Sequence, residues 1–336
     1  DYEKITGNTI DFHNIVIPKK ITITGFIIAI RIIRRIIKKH QYEIVNSNNR
    51  NTSFLARTAL MTMPFSGVKN VYTARGMYFH DSQRLIPGVL TYWVEVFLLF
   101  FTDMVMSQSQ EDVDRMSKNP LVNSSKLNVI HNGINTERFS VESANPPNIK
   151  LSGFVVCTIG RIAKEKGLMD LLEAFSIFVR QESNSTLLLI GGVLHKEQDQ
   201  VLVDFMELAD KLNIKDKIYI TGLVDNVEDY LSLADVYIHP SYREGVPRSV
   251  LEAMSLEKIV IATKIRGAKE IIKNGKNGIL YTKGDINELG KMIEKVYSMT
   301  NDAKQIIEKM ARERVLYQYT EVSYVDRQVI LINSLI

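Results

Sequence analysis

Residues 243–254 read Arg243-Glu244-Gly245-Val246-Pro247-Arg248-Ser249-Val250-Leu251-Glu252-Ala253-Met254. They follow a short apolar run, Val236-Tyr237-Ile238, closed by His239-Pro240-Ser241. The pattern is a buried strand, a loop and then a helix. Pro247 suits the first helical turn, where the N–H it lacks would have no intrahelical partner. The backbone N–H groups around Arg248 and Ser249 then point out of the helix start, a place suited to phosphate. Glu244 precedes the helix and Glu252 lies about two turns on, an offset that puts both carboxylates on one face. A carboxylate accepts hydrogen bonds in pairs, as the vicinal hydroxyls of a sugar or ribose require. Phosphates on the helix start and hydroxyls on the acids together describe a sugar nucleotide. For Glu252 alone, complementing the helix dipole is an equally good account.

The whole string is more specific. It resembles the glutamate-x7-glutamate motif of retaining glycosyltransferases of family 4, which have the GT-B fold, and the similarity runs from about Phe12 to the C-terminus. The resemblance implies an α/β architecture of two Rossmann-like domains facing each other across a cleft. The expected boundaries are an acceptor-side domain over 1–144, a nucleotide-sugar-binding domain over 145–320, and a C-terminal helix over 321–336 that crosses back to the first domain.

Composition fits this expectation. The chain has 336 residues, enough for about two domains, with 45% hydrophobic and 24% charged residues. A net charge of +4 gives no call for nucleic acid as a partner. The single cysteine, Cys157, sits in the apolar run Phe154-Val155-Val156-Cys157 and reads as a small core residue. No intrachain disulfide can form, so a cytoplasmic location is the expectation. No apolar stretch is long enough to span a bilayer: Arg31, Arg34 and Arg35 interrupt one candidate, Glu95 and Asp103 the other.

In the first half, 11–18 reads as a strand and 24–40 as a helix. That helix carries Arg31, Arg34, Arg35, Lys38 and Lys39 among isoleucines and no acid. Two readings stand: a solvated basic face, or residues 26–40 lying on anionic lipid headgroups at the inner face of the plasma membrane. A strand at 43–45 leads into a polar loop, Asn46 to Arg50, with a helix from Ser53 to Met63. A strand at 70–73 ends at Ala74-Arg75-Gly76-Met77-Tyr78-Phe79-His80. This loop resembles the acceptor-side loop of polysaccharide-building family members, which implies roles for Arg75 and Gly76. Arg75 stands where many members carry a histidine, and its guanidinium can still meet phosphate or hydroxyls. The helix at 89–101, with Trp93, reads as core or as a wall for a lipid acceptor. Asp112 and Asp114 form an Asp-x-Asp pair, but within a helical segment they are no metal site, and none is expected elsewhere.

After the linker Asn145-Pro146-Pro147-Asn148, strands and helices alternate as in a parallel sheet covered on both faces. The first strand, 154–159, opens into Gly160-Arg161-Ile162-Ala163-Lys164-Glu165-Lys166-Gly167, which is neither a dinucleotide nor a Walker loop. It does place Arg161 and Lys166 at a strand's carboxyl end, where two cations can neutralise a diphosphate. By resemblance, Gly160, Arg161 and Lys166 meet the donor's diphosphate. The loop near Val224 cups the base, Gly267 to Ile271 form a glycine-containing loop beneath the donor, and Glu252 holds the ribose. Glu244 and the backbone of Gly245, Val246 and Pro247 position the sugar, with Ser249 at the helix start.

The resemblance implies a retaining, metal-independent transferase with no cofactor. It would move a sugar from a nucleotide donor, a UDP-sugar, to a glycan or polyprenyl-linked acceptor in capsule or lipopolysaccharide assembly. A family first domain opens with a strand and a glycine-rich loop, whereas here Gly7 stands alone ahead of the first strand. That leaves a donor-binding pseudoenzyme or fragment, or a sugar-nucleotide epimerase of the same fold, as rivals.

Overall fold

The computed structural model describes residues 22–77, 85–194 and 199–336. The strand expected over 11–18, and residues 78–80 of the acceptor-side loop, lie outside them. The described residues fall into two compact units. One holds 22–74, 85–106 and 116–128; the other holds Arg75–Met77, Ser107–Arg115 and Val129–Ile336.

The first unit is built on a four-stranded sheet, β1 (Ile44–Asn48), β2 (Lys69–Ala74), β3 (Met104–Ser107) and β4 (Leu127–Val129), in that order. Between them in sequence come α2 (Arg50–Met61), α3 (Leu85–Leu99) and α4 (Gln110–Ser117), with α1 (Ile23–His40) ahead of β1. The polar run from Asn46 is strand rather than loop as far as Asn48, because parallel pairing with β2 continues to Asn48 opposite Thr73. The Thr73 hydroxyl donates to Asn46 Oδ1 at 2.9 Å. Asn49, in a left-handed turn (φ 61°), then caps α2 by accepting from the Thr52 N–H at 3.2 Å.

A buried ion pair ties α2 to α3. Arg57 is fully buried, lies 4.2 Å over the Tyr72 ring, and meets both Glu95 oxygens at 2.9–3.0 Å. Each charge would be costly alone in this environment, so the pair is kept or lost together. Trp93 is not core. It is 49% exposed on a face of α3 that also shows Val89, Leu90 and Phe97.

The second unit contains a six-stranded sheet in the order β10-β9-β8-β5-β6-β7. The strands are β5 (Phe154–Ile159), β6 (Ser185–Ile190), β7 (Ile218–Ile220), β8 (Val236–His239), β9 (Ile259–Thr263) and β10 (Ile279–Tyr281). All its neighbouring pairs are parallel. The period of two sends alternate residues into two cores. Val156, Leu187, Leu189 and Ile261 enter one core, with Leu171 and Phe175 of α5 (Leu168–Val179) and Ile293 of α10 (Ile286–Tyr297). Val155, Cys157, Leu188 and Tyr237 enter the other, with Leu251 of α8 (Arg248–Ser255), Ile271 of α9 (Arg266–Ile271) and Val315 of α11 (Asn301–Gln318). Two helices at the sheet's β7 side, α6 (Asp199–Lys211) and α7 (Val227–Ser232), and the terminal α12 (Glu321–Asn333) complete the unit.

The strand order reverses between β5 and β8. From β5 the chain steps outward to β6 and β7, then returns to the other side of β5 for β8, β9 and β10. Loops leaving β5 and β8 therefore diverge and open a crevice at the carboxyl ends of these strands, where open α/β sheets bind ligands.

Candidate active site

Both loops at this reversal point carry the residues singled out in the sequence. The loop after β5 starts with the Gly160 N–H donating to Ile190 O at 3.0 Å and ends in a 3-10 turn over Lys164–Lys166. Gly167 closes it at φ 65°, and a Cβ there would stand 2.1 Å from the Pro240 carbonyl oxygen. Only glycine lets the two loops approach this closely. Two further bonds fasten them: the Tyr242 N–H donates to Glu165 O at 2.9 Å, and its hydroxyl to Asp170 Oδ1 at 2.6 Å.

At this junction Lys166 Nζ donates to Glu244 Oε1, and both side chains are about one-fifth exposed. The Ser241 hydroxyl donates to the same oxygen at 3.2 Å. Thr263 in turn holds the Ser241 carbonyl at 2.6 Å. Glu244 is thus fixed by groups from two loops. Among the described residues its second oxygen and the other Lys166 donors have no partner, and they are open to a ligand. Arg161 pairs instead with Glu165 at 3.3 Å, and both are more than 40% exposed.

α8 begins at Arg248. Pro247 is its cap residue, with an extended ψ of 117°, and no side chain caps the helix. Pro247 thus precedes the first turn and gives no donor, and the open N–H groups start at Arg248. Glu244 lies in the loop, so the shared helix face expected of the two glutamates does not exist. What aims Glu244 is its bond to Lys166. Glu252 lies on α8 with its side chain 15% exposed, 3.9 Å from Arg248 Nε. Burial raises its pKa, against the opposing charges of Arg248 and Arg138. Ser249 is in hydrogen-bonding reach of the Tyr237 hydroxyl.

Glycine backbones bring further segments of this unit together. A Cβ on Gly267 would stand 1.2 Å from Gly245 O, and one on Gly245 would stand 2.6 Å from Arg75 O. Gly76 lies beside Gly245 Cα and the Arg266 guanidinium. Gly267 to Ile271, expected as a loop, are helical in α9. The Asn132 amide holds the Val246 carbonyl at 3.0 Å. Val224 packs on the core beside the Gly191–Gly222 bridge. Arg75, Gly76, Glu244, Gly245 and Lys166 therefore form one connected set. No bond links it directly to Arg161, Val224 or Glu252 among the described residues.

The family model described as "Glycosyl transferases group 1" matches residues 141–313, and one described as "Glycosyltransferase Family 4" matches 2–138. The chain belongs to the group 1 glycosyl transferases. It is 29% identical over 276 residues (80% of this chain, 70% of the relative) to "Putative glycosyltransferase EpsD" of Bacillus subtilis. It is 25% identical over 305 residues (87% of this chain, 76% of the relative) to the Escherichia coli "UDP-Gal:alpha-D-GlcNAc-diphosphoundecaprenol alpha-1,3-galactosyltransferase". Among solved structures, Anabaena Alr3699/HepE in complex with UDP superposes with a TM-score of 0.77 at 20% identity, covering 90% of this chain and 82% of that one. The fold of this transferase is GT-B, two α/β domains with parallel sheets.

Sequence reasoning missed several groups of the transferase's site. Ser241 and Tyr242 follow directly on the quoted stretch's strand, and their role appears only when the two loops meet. Asp112 was examined for a metal; its carboxylate is instead fully buried against Arg266.

His239 is the other missed group. It ends β8, is 2% exposed, and its Nε2 has no hydrogen-bond partner among the described residues, while its Nδ1 lies 3.4 Å from the Tyr237 hydroxyl. Burial lowers its pKa from 6.5 to about 4, Glu244 opposing and Lys166 adding to the effect. A depressed pKa means that the unfolded chain binds the proton first as pH falls. The stability His239 contributes is therefore present above pH 6.5 and lost on the way down to about 4. A shift of this size corresponds to about 3 kcal/mol. Urea unfolding should show the wild type losing stability over this window and His239→Gln losing markedly less; equal losses would show that His239 is not held neutral.

Proposed function

We propose that the protein is a retaining glycosyltransferase that moves a sugar from a UDP-sugar to a lipid-linked glycan in cell-surface polysaccharide assembly. The observation that carries this reading is the Lys166–Glu244 pair, set at the sheet's reversal point beside a helix start that no side chain caps. The names of the relatives support it: one uses UDP-Gal and a diphosphoundecaprenol acceptor, and a structural neighbour is a complex with UDP.

The proposed chemistry follows from charge. As the bond between the sugar and the diphosphate breaks, negative charge grows on the bridging oxygen. Lys166, Arg161 and the N–H groups at the start of α8 form a fixed positive environment for it. Glu244 orients the sugar hydroxyls through its free oxygen. Glu252, on the same helix, takes the ribose hydroxyls, and Gly160 and Val224 border the diphosphate and the base. Attack occurs on the face that the leaving group departs, so configuration is kept and no covalent intermediate forms. The cations do the work that a metal does in other transferases, so turnover is expected to survive EDTA.

The first unit supplies a surface for the lipid side. α1 exposes Ile23, Ile27 and Ile28 and carries basic side chains from Arg31 to Lys39 without an acid. It packs on α2 through Phe26 and Phe54, 5.6 Å apart, and α3 shows Val89, Leu90, Trp93 and Phe97. Among the described residues no helix is long and apolar enough to cross a membrane. We assign this face to peripheral contact with anionic lipid.

Steady-state kinetics with melting temperature as a folding control test the site. Lys166→Ala and Arg161→Ala should lower kcat by about 10²–10³-fold, whereas Glu252→Gln should act mainly on the donor KM. A raised KM with kcat intact in the cation variants would rule out the leaving-group role. Vesicle flotation tests the surface. Binding should occur with phosphatidylglycerol-containing vesicles, weaken with salt, and be absent with phosphatidylcholine alone; equal binding to both would remove the assignment.

A further inference from the structure

In the second unit, one ion pair holds both backbone groups of Met77. The Met77 N–H donates to Asp112 Oδ2 at 2.8 Å, and Arg266 Nη1 donates to Met77 O at 3.4 Å. Arg266 Nη1 also bonds Asp112 Oδ1, and the two side chains are 9% and 0% exposed. A residue whose N–H and carbonyl are both held by buried charges has little freedom left.

Helix α9 anchors this arrangement. Arg266 and Glu270 are four residues apart and so share one face of the helix. Glu270 accepts from the Ser109 hydroxyl and from the N–H groups of Gln110, at 3.0 Å, and Glu111, at 3.2 Å. It thereby caps the first turn of α4, in which Asp112 lies. Arg314 and Tyr319 each donate to the Glu270 carbonyl at 3.3 Å. The order of support runs from the C-terminal helices through α9 to α4, and from α4 to Met77. The held loop touches the site, because Arg75 O is packed on Gly245, next to Glu244. Arg266 Nε is buried without a partner among the described residues, and Nη2 of the same guanidinium lies beside Gly76.

We propose that Arg266 and Asp112 act as positioning residues, an ion-pair clamp that holds the Arg75–Met77 loop against Gly245 so that an acceptor meets the donor sugar on the face from which the diphosphate departs. The clamp rests on the reading of this loop as the acceptor side. Among the described residues no bond is seen from it to Lys166, Glu244 or Glu252, so loss of the clamp should separate acceptor turnover from donor binding. Lysine does not replace Arg266, because both bonds come from Nη1 and the lysine side chain, one atom shorter, falls short of that position.

Arg266→Lys and Asp112→Asn, compared with the wild-type protein, decide this. Hydrogen exchange read at the Met77 amide should speed up by about ten-fold in both variants while β8 stays protected. UDP affinity by calorimetry should stay within about two-fold of wild type. With UDP-galactose and an N-acetylglucosamine-diphosphate on a short alkyl lipid as probes, kcat should fall by about 10²-fold. Unchanged exchange at Met77 would overturn the clamp, as would UDP affinity falling in step with turnover. A wild type that binds UDP but transfers to no such acceptor would count against the proposed function, and the Met77 exchange would then decide the clamp alone.

Discussion

The ion pair between Lys166 and Glu244 ties the loop leaving β5 to the loop leaving β8, and the candidate active site is arranged around that tie. Both loops leave the sheet where its strand order reverses, so without a link they would diverge. The link is partly exposed, and its Coulomb term in water would be modest. It is supported by hydrogen bonds on either side, from Ser241 to Glu244 and from Tyr242 to Glu165 and Asp170. Those bonds keep the two charged groups in register, so a ligand with its own negative charge meets a site already organised. Preorganisation of this kind lets a fixed cation lower a barrier rather than merely bind.

Close backbone approach is the second constraint. Gly167 under Pro240, Gly245 under Arg75 and Gly267 under Gly245 each leave no room for a Cβ. These contacts bring segments far apart in sequence together around Glu244. A side chain at any of these positions would hold the loops apart, and the polar groups on them could no longer converge. The buried pair of Arg266 and Asp112 serves the same end by a different means, holding a loop by its backbone through charge.

Much of this was legible in the sequence, and the reasons are local. β5 has the limits its apolar run indicates, and the alternation after residue 148 indicates the parallel sheet. The Glu244–Glu252 string falls in the loop and helix after β8, at the sheet's reversal point. Three things were not legible. Asn46 to Asn48 have poor strand propensity and are strand only because β2 pairs with them. Trp93 and its neighbours look like core by composition, and only the packing of α3 shows which face is left outside. Lys166 reads as a phosphate ligand alone, since nothing in the chain order announces that a residue 78 positions later accepts a hydrogen bond from it. The same holds for Asp112, whose partner Arg266 is 154 residues away. Long-range charge pairs leave no periodic trace in a sequence.

The central claim is that a diphosphate binds at the reversal point of the second sheet, on Lys166 and the start of α8. Calorimetric titration of UDP into the whole protein tests it most directly, with Lys166→Ala alongside. The account predicts one site per chain and an affinity at least about ten-fold weaker in the variant, the equivalent of about 1.4 kcal/mol. No heat with UDP at millimolar concentration, or one affinity shared by wild type and variant, would contradict it.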